Sequence, residues 1–199
     1  MDESPAIPDE ASAVLDFWFG PTPDRADTGA RKEWFVKSAA FDDAIRERFA
    51  GTIEQALRGE LDTWSADARS ALARIVVLDQ FTRNTLRDTP RAFAGDRQAL
   101  AAASSMVGAR QDELLSPFMR AFVYLPFEHC EGLAMQDEAV RLFTRLAAKA
   151  PEVDEMLTYA HKHRAVIERF GRFPHRNEVL GRQSTAEEDA FLREPGSRF

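Results

Sequence analysis

Apolar side chains recur every three or four positions along most of this chain, and this spacing constrains the fold more than any other feature. Residues 39–59 place phenylalanine and isoleucine side chains on one face of a helix, and residues 151–171 carry a similar stripe. Residues 67–81 leave little polar face, which predicts a largely buried helix. No segment alternates apolar and polar residues in the manner of a strand. The sequence therefore predicts an all-α fold without significant sheet.

Residues typical of helix ends mark several boundaries. A Ser-Pro pair predicts the start of a helix at residues 116–125, and Pro126 is expected to interrupt or kink it. Gly171 is expected to end the long helix before it, because glycine adopts the left-handed conformation at little cost. Thr185, with Glu188 three residues later, has the pattern of a capping box.

The length of 199 residues fits a single domain, with residues 1–10 as a flexible acidic leader. One cysteine, Cys130, cannot form an internal disulfide, which is typical of a reducing compartment. Neither a signal peptide nor an apolar run of about 20 residues is found. We therefore expect a cytoplasmic protein that does not enter a membrane.

Charge is distributed unevenly along the chain. The net charge of −7 argues against broad binding to nucleic acids or anionic membranes. Residues 161–182, however, hold six lysines or arginines against two acids. Within them, RFGRFPHRN (169–177) reads as a helix end and a tight turn, since Pro174 opposes a continued helix. A basic turn of this kind needs acidic partners or an anionic ligand.

Two acidic segments are the expected partners of this turn. DQFTRN (79–84) ends a buried helix, so the carboxylate of Asp79 should lie partly inside and require an arginine, for which residues 169–182 are the natural source. In PFEHCEG (126–132), Glu128 and Glu131 share a helix face, and they are expected to neutralise nearby arginines.

The same segments show no metal-site pattern. The chain lacks the paired Glu-x-x-His of di-iron bundles and the His-Glu-x-x-His of zinc proteases. His161 and His163 lie two apart on a helix, so they cannot chelate one ion, and one of them should face inward. We therefore expect no metal and no cofactor.

Several motifs together resemble a bacterial family, the domain of unknown function 924. The resemblance spans nearly the whole chain and is most specific in the last long motif; it is carried by VLDFWFG (14–20), VLDQFTRN (77–84), TPRAFAGD (89–96), FVYLPFEHCE (122–131), RFGRFPHRNEVLGRQSTAEEDAFL (169–192) and GSRF (196–199). Thr82 departs from the family pattern, which usually has proline there. The resemblance implies a tetratricopeptide-like arrangement of antiparallel helices and implies no activity.

Three functions compete on these observations. The first is a helical binding protein with a polar pocket for a small anionic ligand or a peptide. The second is an enzyme that uses Glu128, His129 or His175 as acid and base, with Arg172 and Arg176 holding an anionic substrate. The third is a purely structural ion-pair network that clamps the C-terminal turn. The predicted ligand-binding residues are Asp79, Arg83, Asn84, Glu128, Glu131, His161, Arg172, His175, Arg176 and Asn177.

Overall fold

The computed structural model describes residues 7–21 and 30–197. Its α-helices are α1 (Asp9–Phe19), α2 (Ala39–Leu57), α3 (Ala68–Ile75), α4 (Thr82–Thr85), α5 (Asp96–Gly108), α6 (Pro117–Glu128), α7 (Leu133–Ala147), α8 (Asp154–Phe170) and α9 (Ala186–Phe191). Within these two ranges the chain forms no strand, so the predicted all-α class is confirmed. The finer tetratricopeptide-like arrangement and the single domain stay predictions.

The core is rich in aromatic rings, as expected of a chain with 15 phenylalanines. Trp18 of α1 is buried, and its ring contacts those of Phe81 and Phe122 at centroid separations of 5.7 and 5.6 Å in edge-on geometry. Such edge-to-face contacts add about 0.5–1.5 kcal/mol each beyond the buried area. They join α1 to the end of the helix that carries Asp79 and to the middle of α6, and so fix two of the elements that form the site.

The C-terminal half is built from α6, α7 and α8, which pack as consecutive neighbours joined by short connections and are therefore antiparallel. The expected interruption at Pro126 is wrong, because α6 continues through this buried residue to Glu128, whereas a kink at Pro126 stays a prediction. Glu128 is consequently the last residue of α6, and His129 directly follows the helix.

A π-helix, Val76–Phe81, joins α3 to α4 and gives one continuous helical rod. π-Helical turns are rare in proteins, and those that occur often lie at functional sites. The backbone at Gly95 approaches the backbone of this π-helix unusually closely, since a Cβ added at Gly95 would lie 2.2 Å from the carbonyl oxygen of Leu78. The hydroxyl of Thr82 donates to the same oxygen at 2.8 Å. The π-helix and Gly95 thus bring the start of α5 against Asp79.

The predicted helix ends are matched in part. Gly171 is left-handed with φ of +69°, and the capping box of Thr185 and Glu188 is formed. Residues 1–6 of the expected leader lie outside the described residues, whereas Asp9 and Glu10 form the first turn of α1. In the part of the chain that is described, no helix has the length and apolar surface required to cross a membrane.

Candidate functional site

The turn after α8 folds back onto the ends of two other helices. The backbone N–H of Gly171 donates to Ile167 at 2.8 Å and closes the helix. Pro174 then begins a single 3₁₀ turn, Pro174–Arg176, as a residue with fixed φ and no N–H is suited to do. The turn brings His175 and Arg176 toward the helix that bears Asp79 and toward the end of α6, as the sequence predicts.

Six polar side chains meet where this turn contacts the helices. We call them the inner cluster, and they are Asp79, Arg83, Asp96, His129, His175 and Arg176. Asp79 is 1% exposed, whereas the side chains of His129, Arg83 and Asp96 keep 15%, 18% and 25% of their surface exposed. The cluster is therefore closed at Asp79, whereas the other three side chains are partly exposed to solvent.

Asp79 lies at the base of the cluster and is fully paired. Its two carboxylate oxygens lie 2.8 and 3.0 Å from Nδ1 of His129, and Nη1 of Arg83 lies 3.0 Å from Oδ1. Burial alone would raise the pKa of Asp79, but the charge of Arg83 and the hydrogen bonds from His129 and Gln80 outweigh burial and hold this pKa below its ordinary value. The expected arginine partner thus comes from the same helix, four residues on, rather than from residues 169–182.

Arg176 is the least neutralised charge of the inner cluster. Its guanidinium lies between two phenyl rings, 4.5 Å from the centroid of Phe173 and 4.7 Å from that of Phe93. Its nearest carboxylate oxygen, on Asp96, is 3.5 Å away, and Nε has no hydrogen-bond partner among the described residues. Burial, reinforced by repulsion from Arg83, lowers the pKa of Arg176 to about 10.

Two further imidazoles border the cluster. Burial and the charge of Arg176 lower the pKa of His175 to about 3, so this ring is neutral near pH 7. His163 faces inward from α8, with Nδ1 2.9 Å from Oε1 of Glu128. The buried carboxylate of Glu128 is therefore paired with a histidine, not with the arginines that the sequence led us to expect.

A second set of contacts fixes the outer side of the same turn. We call it the outer clamp, and it consists of Arg172 with Glu188, Arg182 with Glu131, and Asn177. Arg172 contacts both oxygens of Glu188 at 2.6 and 2.7 Å, and Arg182 contacts both oxygens of Glu131 at 2.7 and 2.9 Å. Bidentate pairs of this geometry position the chain strongly. The expectation that Arg172 points toward the acids of residues 79–84 and 128–131 is therefore wrong.

Two predicted site residues lie away from both sets. Asn84 donates to the buried carboxylate of Asp42 at 2.7 Å, an acid that also pairs with Arg87. His161 is exposed on α8. A depression of about 320 Å³ between α3 and α5, with Arg74 and Met106 in its lining, likewise lies apart from the inner cluster.

Sequence reasoning missed several residues that shape the site. Asp96 fits the pattern of a helix start and occupies the first turn of α5, yet it also neutralises Arg83 at 2.9 Å. Phe93 belongs to the same short segment, and His163 was recognised only as one of two helical histidines. The glycine of TPRAFAGD is the sequence feature that points to these residues. Gly95 permits a close approach to the backbone of Leu78, and this approach places Phe93 and Asp96 at the site.

The inner cluster supplies two arginines, two carboxylates and two imidazoles within one polar region. This donor set can hold an anion and can accept or release a proton, which are the capacities that an anion-binding or an acid–base site requires. Among the described residues, no three histidine, cysteine or acidic side chains come together in a geometry suited to a metal ion.

Comparison with known proteins gives a family but no activity. The sequence profile of the bacterial proteins of unknown function DUF924 matches residues 14–196. A solved structure of a protein of unknown function from Agrobacterium tumefaciens is 39% identical to this chain, with a TM-score of 0.80. The match covers 92% of this chain and 97% of the other. No curated protein matches. The chain therefore belongs to the bacterial family of unknown function DUF924.

Proposed function

We propose that this chain is a binding protein whose inner cluster holds a small anion, a carboxylate or a phosphate group. The observation that carries the proposal is the state of Arg176, a buried guanidinium with a distant carboxylate partner. A buried charge is costly unless it is paired and hydrogen-bonded, so a site that keeps such a charge gains stability when an anion arrives.

The carboxylates of the cluster lie closer to Arg83 than to Arg176. Arg83 lies 3.0 Å from Asp79 and 2.9 Å from Asp96, so it takes the closer contact with the acid that the two arginines share. Among the described residues, Arg176 has one carboxylate contact, at 3.5 Å to Asp96, and otherwise lies against the faces of two phenyl rings. A planar guanidinium in this position matches carboxylate or phosphate oxygens in number and direction.

The structural alternative applies to the other side of the turn. Bidentate pairs at Glu188 and Glu131 tie residues 172–188 to each other and to the end of α6, which is what a clamp requires. Because these pairs fix the turn without Arg176, the inner cluster is left for another role. We therefore assign the clamp to the outer residues and ligand binding to the inner ones.

A thermal-shift experiment with matched variants tests this assignment. Phosphate, sulfate, acetate and glycolate are titrated at constant ionic strength against the wild-type protein, Arg176→Met and Arg172→Met. We expect at least one anion to raise the wild-type Tm by about 3–6 °C at ten times its Kd. Arg176→Met should abolish this rise, whereas Arg172→Met, which breaks only the outer clamp, should retain it. A rise that survives in Arg176→Met, or no rise with any anion, contradicts the proposal.

The compartment and the partners belong to the same proposal. The only cysteine, Cys130, and the net charge of −7 support a cytoplasmic protein whose ligand is a small anion or an anionic group on a peptide. Nucleic acid is disfavoured by the same charge, and filter binding at low salt tests that point.

A further inference from the structure

We infer that the anion bound by the inner cluster carries a hydrogen-bond donor of its own, a hydroxyl or a protonated oxygen, which Nε2 of His129 accepts. This inference rests on the proposed function and narrows the ligand class to hydroxycarboxylates and hydrogen phosphates. It follows from the way in which Asp79 fixes the proton of one imidazole.

The tautomer of His129 is set by its contact with Asp79. Both carboxylate oxygens lie within hydrogen-bond distance of Nδ1, at 2.8 and 3.0 Å. An ionised carboxylate accepts hydrogen bonds and donates none. Nδ1 must therefore carry the proton, in the same way that a buried aspartate orients the histidine of a catalytic triad.

The surroundings of this pair favour an ionised Asp79 and a neutral His129. Arg83 holds the carboxylate at 3.0 Å, and its positive charge opposes protonation of Asp79. Burial lowers the pKa of His129 below its ordinary value, although the charge of Asp79 acts in the opposite direction. A neutral imidazole with its proton on Nδ1 presents a lone pair on Nε2.

The Nε2 lone pair points away from Asp79, because the two ring nitrogens project in different directions and Nδ1 faces the carboxylate. Nε2 is on the ring edge opposite to Asp79, and the side chain of His129 keeps 15% of its surface exposed beside Arg83. An anion that approaches the arginines along this edge meets Nε2 as a fixed acceptor. A ligand oxygen without a proton is repelled there, whereas an O–H group forms a hydrogen bond.

Pairs of anions that differ only in a donor measure this preference. We compare glycolate with acetate, two monoanions that differ by one hydroxyl, by calorimetric titration of the wild-type protein. We also compare phosphate with sulfate at pH about 8, where both are dianions and only phosphate keeps a proton. Glycolate and hydrogen phosphate should each bind about tenfold more tightly than their partners. Whichever of glycolate and hydrogen phosphate binds more tightly then decides between a carboxylate and a phosphate ligand.

The variant Asp79→Asn reverses the donor pattern. Arg83 only donates and so holds the amide oxygen, which turns the amide N–H₂ toward Nδ1 and moves the imidazole proton to Nε2. We expect this variant to lose the preference or to prefer acetate and sulfate. The ratio within each pair is the readout, because it cancels the general gain in anion affinity that follows the loss of one negative charge.

The histidine tautomer is also measured directly. A long-range ¹⁵N–¹H NMR spectrum of the wild-type protein reports which nitrogen of His129 is protonated, so the inference is testable even where Asp79→Asn does not fold. A proton on Nε2 in the wild-type protein overturns the inference. Equal affinities within both pairs, with binding that still depends on Arg176, overturn it and leave the proposed function intact. Absence of any anion binding instead overturns the proposed function.

Discussion

Arg172 and Arg176 lie four residues apart in one turn, yet they differ in burial and in how closely a carboxylate pairs with them. Arg172 is partly exposed and makes a bidentate pair with Glu188 at 2.6 and 2.7 Å. Arg176 is buried between two phenyl rings, and its nearest carboxylate is 3.5 Å away. This difference is the basis of our proposal that the two arginines have different roles, since stability alone would favour pairing the buried arginine better than the exposed one.

The two sides of the turn also differ in how they are held. The outer clamp is made of contacts within residues 172–188 and with Glu131, so it needs few distant elements. The inner cluster depends on a π-helix, on the start of α5 and on the end of α6. Substitutions that disturb packing should therefore disrupt the inner cluster more than the outer clamp. Removal of a single charge should instead disrupt the outer clamp more than the inner cluster.

The largest effect is expected from Gly95→Ala. A Cβ there would lie 2.2 Å from the carbonyl oxygen of Leu78, so the segment that carries Phe93 and Asp96 must move away from the π-helix. We expect a loss of about 3 kcal/mol in the free energy of unfolding, measured by urea denaturation. The control is Gly108→Ala, where a Cβ meets no atom within 4 Å. The control should change stability by less than about 1 kcal/mol. Similar values for the two variants would contradict the account.

Arg172→Met should have the next largest effect. It leaves the carboxylate of Glu188, whose side chain is 3% exposed, without its main cationic partner. We expect a loss in the free energy of unfolding that is clearly larger than that of the control variant described next. The matched control is Arg169→Met, which breaks an ion pair with Glu187 in which both side chains are about half exposed, 46% and 63%. That control should cost about 0.5 kcal/mol. If the two variants are equally destabilised, the outer clamp does not exist as described.

As the pH falls, the inner cluster should lose its contribution to the free energy of unfolding before the outer clamp does. Because the pKa of His175 in the folded protein is about 3, the unfolded chain binds more protons below its ordinary value of 6.5. The free energy of unfolding should therefore fall as the pH is lowered from about 6.5 toward 4.5. His129 acts in the same direction. Glu188, with a pKa of about 2, contributes its own loss only at lower pH.

The variant His175→Gln checks the origin of this pH dependence. Denaturation at pH 7, 6 and 5 should show a shallower fall for the variant than for the wild-type protein, because one depressed histidine no longer titrates on unfolding. An unchanged slope would mean that His175 is not buried as a neutral ring, and the distinction between inner and outer residues would weaken.

Much of the fold could be predicted from the sequence, because the helical period and the turn residues are local signals. Gly171 and the capping box of Thr185 act within one turn of themselves, and both are formed as predicted. An interruption at Pro126 is wrong, since the proline is buried inside α6 and burial depends on tertiary packing and not on the local sequence alone.

The site could be predicted only in outline. Asp79, His129, His175 and Arg176 were named because buried acids and basic turns require partners, and the structure brings them together. The expected partner of Asp79 in the distant turn is wrong, although Arg83 has the ordinary i, i+4 spacing of a helical ion pair. Asp96 and Phe93 were missed since their position depends on a close approach at Gly95 that no periodic pattern encodes.

The variant Arg176→Met is expected to change stability least, and it tests most directly the central claim that Arg176 binds a ligand and does not stabilise the fold. The variant Arg176→Met keeps the apolar stem between Phe93 and Phe173 and removes a charge that its surroundings disfavour, while Asp96 keeps Arg83 as its partner. Urea denaturation in a buffer without binding anions should give a free energy of unfolding within about 1 kcal/mol of the wild-type value. A loss of about 3–5 kcal/mol, the cost of breaking a buried ion pair, would contradict the claim and make Arg176 part of the clamp.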